Sequence, residues 1–195
     1  MIIVYGGSFN PPTIAHFQII THLMNKYAPD RLILVPVGDR YPKENLVPFS
    51  HRKAMLELIT QEIKQVIISD IENQSAFKGT IELLEAVNEK YNDLVFFVLG
   101  ADNILHFDQW IRFDELIKKY RFIVFPRNGQ EVHKFITEHP ILSKFADHFY
   151  IEEDFQSIPV SSSQYRELED DSVVLPEVNE YIYRHQLYSR GVNNE

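Results

Sequence analysis

Apolar positions fall along this chain in two alternating periods. Residues 2–5, 31–38, 65–72, 94–100 and 121–127 are short runs dominated by Val, Ile, Leu and Phe, bounded by Gly, Pro or charged residues. Between them lie stretches whose apolar residues recur every three or four positions: Ile14, Phe17, Ile20, Leu23 and Met24; then Ala54, Met55, Leu58 and Ile59, behind Ser50 as the expected helix cap; then residues 79–91; then a helix from Trp110 to Lys119. Continuous apolar strands alternating with amphipathic helices predict an α/β fold, doubly wound, with a mostly parallel sheet covered on both faces. After residue 127 the pattern loosens into a short helix over 132–136 and a strand over 148–151. Two further helices follow, one opening at the serines 161–163 and one over 175–188, and a frayed tail is expected over 189–195.

Composition narrows the function classes. The chain has 195 residues, enough for one domain over 1–195. A net charge of -9 disfavours nucleic acid as a partner, because broad phosphate-backbone binding needs a basic surface. The chain has no cysteine, which excludes disulfides, thiolate catalysis and cysteine-bound metal centres. "MIIVYGGS" is too short an apolar opening for a secretory signal, and no apolar run approaches the roughly 18 residues a span needs, so a cytoplasmic protein without a membrane partner is expected. His51, His106, His133, His139, His148 and His185 show no metal-ligand spacing, and the acidic runs "IEEDF" and "ELEDD" read as solvated charge, so no protein-bound metal is expected.

The chemistry concentrates at "VYGGSFNPPTIAH". A strand runs into Gly6 and Gly7, whose backbone N–H groups can approach a ligand closely, and the two prolines delay regular structure until the next helix. Thr13 and His16 then stand one turn apart at that helix's entrance, where free N–H groups and the helix dipole favour phosphate. The chain contains neither G-x-G-x-x-G nor the P-loop pattern. A second candidate is "IPVSSSQYR", in which serines at a helix start can cap or donate to phosphate and Arg166 can clasp the same anion; alone, three serines read as an ordinary surface cap.

Together these stretches resemble the nucleotidyltransferase superfamily. Gly7, Phe9, Pro11, Thr13 and His16 fall on its first motif, with Ala15 where glycine is usual, and Ser161, Ser162, Ser163 and Arg166 fall on its I-S-S-T-x-x-R element, with Val160 for the isoleucine. From residue 2 to about 188 the chain looks most like the bacterial nicotinate-nucleotide adenylyltransferases, with "YPKENLVPFSHRKAML" (Lys43, Arg52), "VLGADN", a following tryptophan and "FPRNG" in the expected order.

The resemblance implies a Rossmann-like topology and transfer of adenylate from ATP to nicotinate mononucleotide, with pyrophosphate released. It implies Thr13, His16 and Arg166 as catalytic residues; Gly6, Gly7, Ser8, Phe9, Lys43, Gly100, Asp102, Ser161 and Ser162 at ATP; and Thr80, Trp110 and Arg127 at the acceptor. The helical part 161–188 would complete the ATP site. Mg²⁺ would come in with ATP, since it binds mainly through substrate phosphates. Removing His16 is expected to cost turnover and leave the melting temperature nearly unchanged. The family's Ser-Tyr-Thr-x-Asp-Thr element is altered here to Ser75, Ala76, Phe77, Lys78, Gly79 and Thr80, which leaves other acceptors open, such as nicotinamide mononucleotide, phosphopantetheine or a sugar or alcohol phosphate. A nucleotide sensor without turnover is the alternative from another class, and a homo-oligomer stays open as well.

Overall fold

In the computed structural model, residues 1–74, 78–126 and 131–188 are described. The apolar runs become strands because both of their faces are covered: β1 (Ile2–Gly7), β2 (Arg31–Pro36), β3 (Val66–Ile68), β4 (Val95–Gly100), β5 (Arg121–Phe125) and β6 (Phe149–Ile151). Successive residues point to opposite faces. Ile2, Val4, Ile33, Val35, Phe97 and Leu99 therefore enter one core, while Ile3, Leu32, Leu34, Phe96 and Val98 enter the other.

The amphipathic stretches become α1 (Ile14–Tyr27), α2 (Phe49–Thr60), α3 (Ile71–Gln74), α4 (Thr80–Tyr91), α5 (Ala101–Ile104), α6 (Phe113–Lys119), α7 (Val132–Glu138), α8 (Ser162–Leu168) and α9 (Pro176–His185). Helices α4, α6 and α7 close the first core through Ile81, Leu84, Leu116, Ile117, Val132 and Ile136. Helices α1, α2, α8 and α9 close the second through Ile20, Leu23, Met55, Leu56, Tyr165, Val178 and Ile182. Each such aliphatic side chain contributes about 1.5–3 kcal/mol on burial, so the apolar stripes hold the helices to the sheet. Among the described residues, no helix is long and apolar enough to cross a membrane.

Among the described residues the six strands form one sheet in the order β3-β2-β1-β4-β5-β6, every neighbouring pair parallel. The chain winds outward from β1 to β3, crosses back to β4, and winds outward again. Strand order thus reverses between β1 and β4, and a crevice opens beyond the carboxyl ends of those two strands. Gly7 ends β1 and Gly100 ends β4, which brings the two glycine-ended strands to one place.

Local expectations are corrected at four points. The run 65–72 is not one strand: β3 ends at Ile68, and α3 begins at Ile71. Ser50 does not cap α2: the N-cap is Pro48, and the Phe49 N–H donates to Asp39 Oδ1 at 2.6 Å, so a side chain ten residues upstream caps the helix. Trp110 precedes its helix; Phe107–Gln109 form a 3-10 turn, Trp110 is extended, Arg112 is left-handed at φ 54°, and α6 starts at Phe113. Gly6 and Gly7 complete β1, and the left-handed residue of the following turn is Phe9, at φ 46°. The expected tail at 189–195 lies outside the described residues.

Candidate active site

Two hollows meet at the β1/β4 crevice. The larger, about 540 Å³, is walled by Tyr41, Thr80, Leu83, Phe97, Trp110 and Ile111, with Glu72 on its β2/β3 side. The smaller, about 320 Å³, holds Thr13, His16, Gly100, Asp102, Ser161, Ser162 and Arg166, with an apolar end at Ile19, Phe125, Pro126 and Val160. Gly6, Gly7, Ser8 and Lys43 line both. Volumes of this size suit small-molecule ligands.

The entrance to α1 is built from two residues. The Thr13 N–H donates to His16 Nδ1 at 2.9 Å, and Thr13 Oγ1 lies 2.8 Å from the same nitrogen. With Nδ1 accepting, the imidazole keeps its N–H on Nε2. The His16 ring packs on Phe9, 5.1 Å between centroids, and on Tyr5, 6.3 Å. His16 is therefore both a cap of α1 and a wall of the cleft, so its loss is predicted to lower the melting temperature as well as turnover.

Cations converge on the junction. Lys43 Nζ donates to Ser8 Oγ at 3.0 Å. Its pKa is lowered, first by burial and then by the positive charges of Arg166 and Arg52. Arg166 donates through Nη1 to the Asn10 carbonyl and through Nη2 to Ser163 Oγ at 3.0 Å. An anion placed among these groups would relieve their mutual repulsion.

Buried polar groups fix the segments that carry these cations. Asn10, fully buried, donates to the Asn45 carbonyl at 2.8 Å, and its Oδ1 accepts from the Val47 N–H at 3.2 Å and from the Tyr188 hydroxyl at 2.9 Å. The Asn10–Pro11 peptide is cis. Arg52, also fully buried, donates to the Val47 carbonyl at 2.9 Å and the Ser8 carbonyl at 3.1 Å, and pairs with Asp39 at 3.4 Å. Ser162 Oγ donates to the Pro11 carbonyl at 2.8 Å, and Ser161 Oγ accepts from the Gln164 N–H at 3.1 Å. Ser162 thus ties α8 to the first motif, and Ser161 caps the helix.

The structure thus brings Gly6, Gly7, Ser8, Thr13, His16, Lys43, Gly100, Asp102, Ser161, Ser162 and Arg166 to one cleft, and Thr80 and Trp110 to the adjoining cavity. Phe9 lies beneath it, fully buried, rather than on its wall. Arg127 and the altered Ser75–Phe77 positions lie outside the described residues. Trp110 rests edge-on against Phe107 at 5.2 Å and Phe97 at 6.2 Å, with its remaining surface on the larger cavity. Sequence reasoning missed Asn10 and Tyr188, whose pairing joins positions 178 residues apart, and also Tyr41 and Glu72. No local pattern signals a contact that only docking of α9 or α3 creates.

Among the described residues, no three His, Asp or Glu side chains are grouped so as to hold a metal ion. The donor set of the cleft suits phosphate oxygens, and a divalent cation fits it only as a companion of those phosphates.

A family model described as cytidylyltransferase-like matches residues 4–168. The chain belongs to the cytidylyltransferase-like family. Its members' nucleotidyl-transfer chemistry matches the phosphate cleft just described. The family member from Acholeplasma laidlawii named "probable nicotinate-nucleotide adenylyltransferase" is 39% identical over 191 residues, covering 96% of this chain and 97% of its own. One of the same name from Caldicellulosiruptor saccharolyticus is 32% identical over 196 residues, covering 96% and 98%. In fold, the chain is similar to a nicotinic acid mononucleotide adenylyltransferase from Plasmodium falciparum complexed with NaAD, with a TM-score of 0.77 and 24% identity over 96% of each chain.

Proposed function

We propose that this nucleotidyltransferase transfers adenylate from ATP to nicotinate mononucleotide, forming the deamido dinucleotide and pyrophosphate for NAD biosynthesis in the cytoplasm. One observation carries the reading: two ligand-sized cavities share a wall at Gly6–Ser8 and Lys43, so two nucleotides bound in them would meet phosphate to phosphate. The names of the relatives support the choice of acceptor.

In this reading a 5'-phosphate oxygen of the acceptor attacks the α-phosphorus of ATP. A new P–O bond forms, the α–β bond breaks, and pyrophosphate leaves with the bond's electrons. Nucleotidyl transfer asks the protein mainly for in-line positioning and for donors on the non-bridging oxygens. His16, through its Nε2–H, and Thr13 act at the α-phosphate; Lys43 and Arg166 hold the departing pyrophosphate; the backbone from Gly6 to Ser8 lies along the shared wall. Ser161 and Ser162 act by anchoring α8, and with α9 behind it the part over 161–188 completes the ATP site of a single domain. Mg²⁺ comes in on the phosphates of ATP and, when bound, spreads the charge of the leaving group. Thr80, Trp110 and the surrounding apolar wall receive the pyridine ring.

The test is to incubate purified protein with ATP and Mg²⁺ plus nicotinate mononucleotide, nicotinamide mononucleotide or phosphopantetheine, recording pyrophosphate and identifying each product by mass. A dominant deamido dinucleotide is expected. ATP binding without pyrophosphate from any acceptor would instead support a nucleotide sensor.

A further inference from the structure

Glu72 has no part in the scheme above, yet it stands on the wall of the cavity assigned to the acceptor. It belongs to the four-residue α3, which is pressed against the end of β2 so closely that a Cβ on Gly38 would come within 2.1 Å of the Glu72 carbonyl oxygen. That close approach fixes the backbone of Glu72 beside the cavity. Its side chain is half-buried, and among the described residues it makes no hydrogen bond or ion pair.

The neighbouring charges are engaged elsewhere. From the loop after β2, the Asp39 carboxylate accepts from the Phe49 N–H and Lys43 donates to Ser8. Tyr41 lines the same cavity. On the approach to α3, Asp70 accepts from Gln74 Nε2 at 3.0 Å. From the α4 side, Lys78 pairs with Glu82, and Arg112, beyond Trp110, pairs with Glu85 and Glu115. Burial alone acts on the Glu72 carboxyl group and pushes its pKa up to about 7. A half-buried carboxyl group with no partner among the described residues and a place on the cavity wall is available to a polar group of the ligand.

We infer that Glu72 sets the choice between acid and amide pyridine nucleotides: protonated, it donates to the acceptor's carboxylate; ionised, it repels that carboxylate and accepts from a carboxamide N–H. The inference rests on the proposed adenylyl transfer, since it assumes that the larger cavity takes a pyridine mononucleotide. The two acceptors differ by one group, a fixed anion against a neutral amide, and Glu72 distinguishes them by charge and by donor direction. Trp110 and Thr80 would treat the rings alike.

The experiment measures kcat/KM for nicotinate and nicotinamide mononucleotides side by side from about pH 6 to 8.5, a range spanning the raised carboxyl pKa. The ratio of the two is the readout. Titrations that act equally on both acceptors, such as those of their 5'-phosphates, divide out of it, and Glu72→Gln separates Glu72 from other groups on the cavity. In the wild type the acid-to-amide ratio is expected to fall as pH rises through about 7, by up to tenfold per pH unit. In Glu72→Gln, whose side-chain amide donates at every pH, the ratio should be flat.

Dissociation constants of the two mononucleotides without ATP should follow the same trend, and thermal melts of the variant confirm that it is folded. A ratio in Glu72→Gln with the same pH dependence as the wild type overturns the inference, as does a flat ratio in the wild type. If neither mononucleotide is a substrate in any variant, it is the adenylyl-transfer reading that fails, a result distinct from either of these.

Discussion

Replacing His16 by Ala removes two structural contributions and, on the proposed mechanism, one catalytic group, and the structure lets the structural and catalytic roles be separated. The first is a cap: the Thr13 N–H, almost wholly buried, loses its acceptor at 2.9 Å, which costs about 1 kcal/mol. The second is packing of the imidazole on Phe9 and Tyr5, about another 1 kcal/mol for a partly buried ring. At roughly 2–4 °C per kcal/mol for a domain of this size, the melting temperature should fall by about 4–8 °C. On the proposed mechanism turnover should fall by far more, about 10²–10³ in kcat, because His16 would be one donor to the developing phosphate charge.

His16→Glu discriminates the two roles. A glutamate at the third helical position completes a capping box, so roughly half of the lost stability should return. Its carboxylate donates nothing to phosphate and repels it, so kcat should stay at or below that of the alanine variant. The assays are thermal melts without ligand and steady-state pyrophosphate release at saturating substrates. Turnover at the wild-type level in His16→Ala, together with the calculated loss in melting temperature, would reduce His16 to a helix cap and refute its part in catalysis.

The convergence of Lys43 and Arg166 predicts that pyrophosphate alone binds; at about 100 times its Kd it should stabilise the protein by about 2.7 kcal/mol, and Lys43→Ala should shrink the shift seen in thermal melts at the same concentration. Arg52→Met should cost about 2–4 kcal/mol by chemical denaturation and raise KM for ATP, since it strands the Ser8 and Val47 carbonyls that it now holds. Buried Glu152 bears on pH: burial by itself would raise its pKa, but hydrogen bonds from Lys26, Tyr27 and His22 outweigh that and lower it. A depressed carboxyl pKa contributes stability above its unfolded value, about 4.3, and loses it as pH falls through the folded one. The denaturant midpoint of the wild type should therefore exceed that of Glu152→Gln by a constant amount at neutral pH, and the gap should close below about pH 4.

By itself the sequence determined the architecture and the parts list of the cleft. Runs such as "RLILVPVG" and "LVFFVLG" have no polar face to turn to water, so they had to become strands covered on both sides, and the intervening stripes at helical spacing supplied the cover. The two motifs sit at strand ends and helix starts, where their chemistry is local, and Thr13, His16, Ser161 and Arg166 were legible for that reason. Tertiary structure alone decided how those parts face one another. The Asn10–Tyr188 bond, the Asp39 cap on α2, the seating of Arg52 under Ser8 and the lodging of Glu72 beside the larger cavity join residues ten to 178 positions apart. Such contacts leave no periodic trace, because hydrophobic patterning specifies which side of an element is buried, whereas the partner of a buried polar group is settled only when two elements dock and each must satisfy the other's hydrogen bonds.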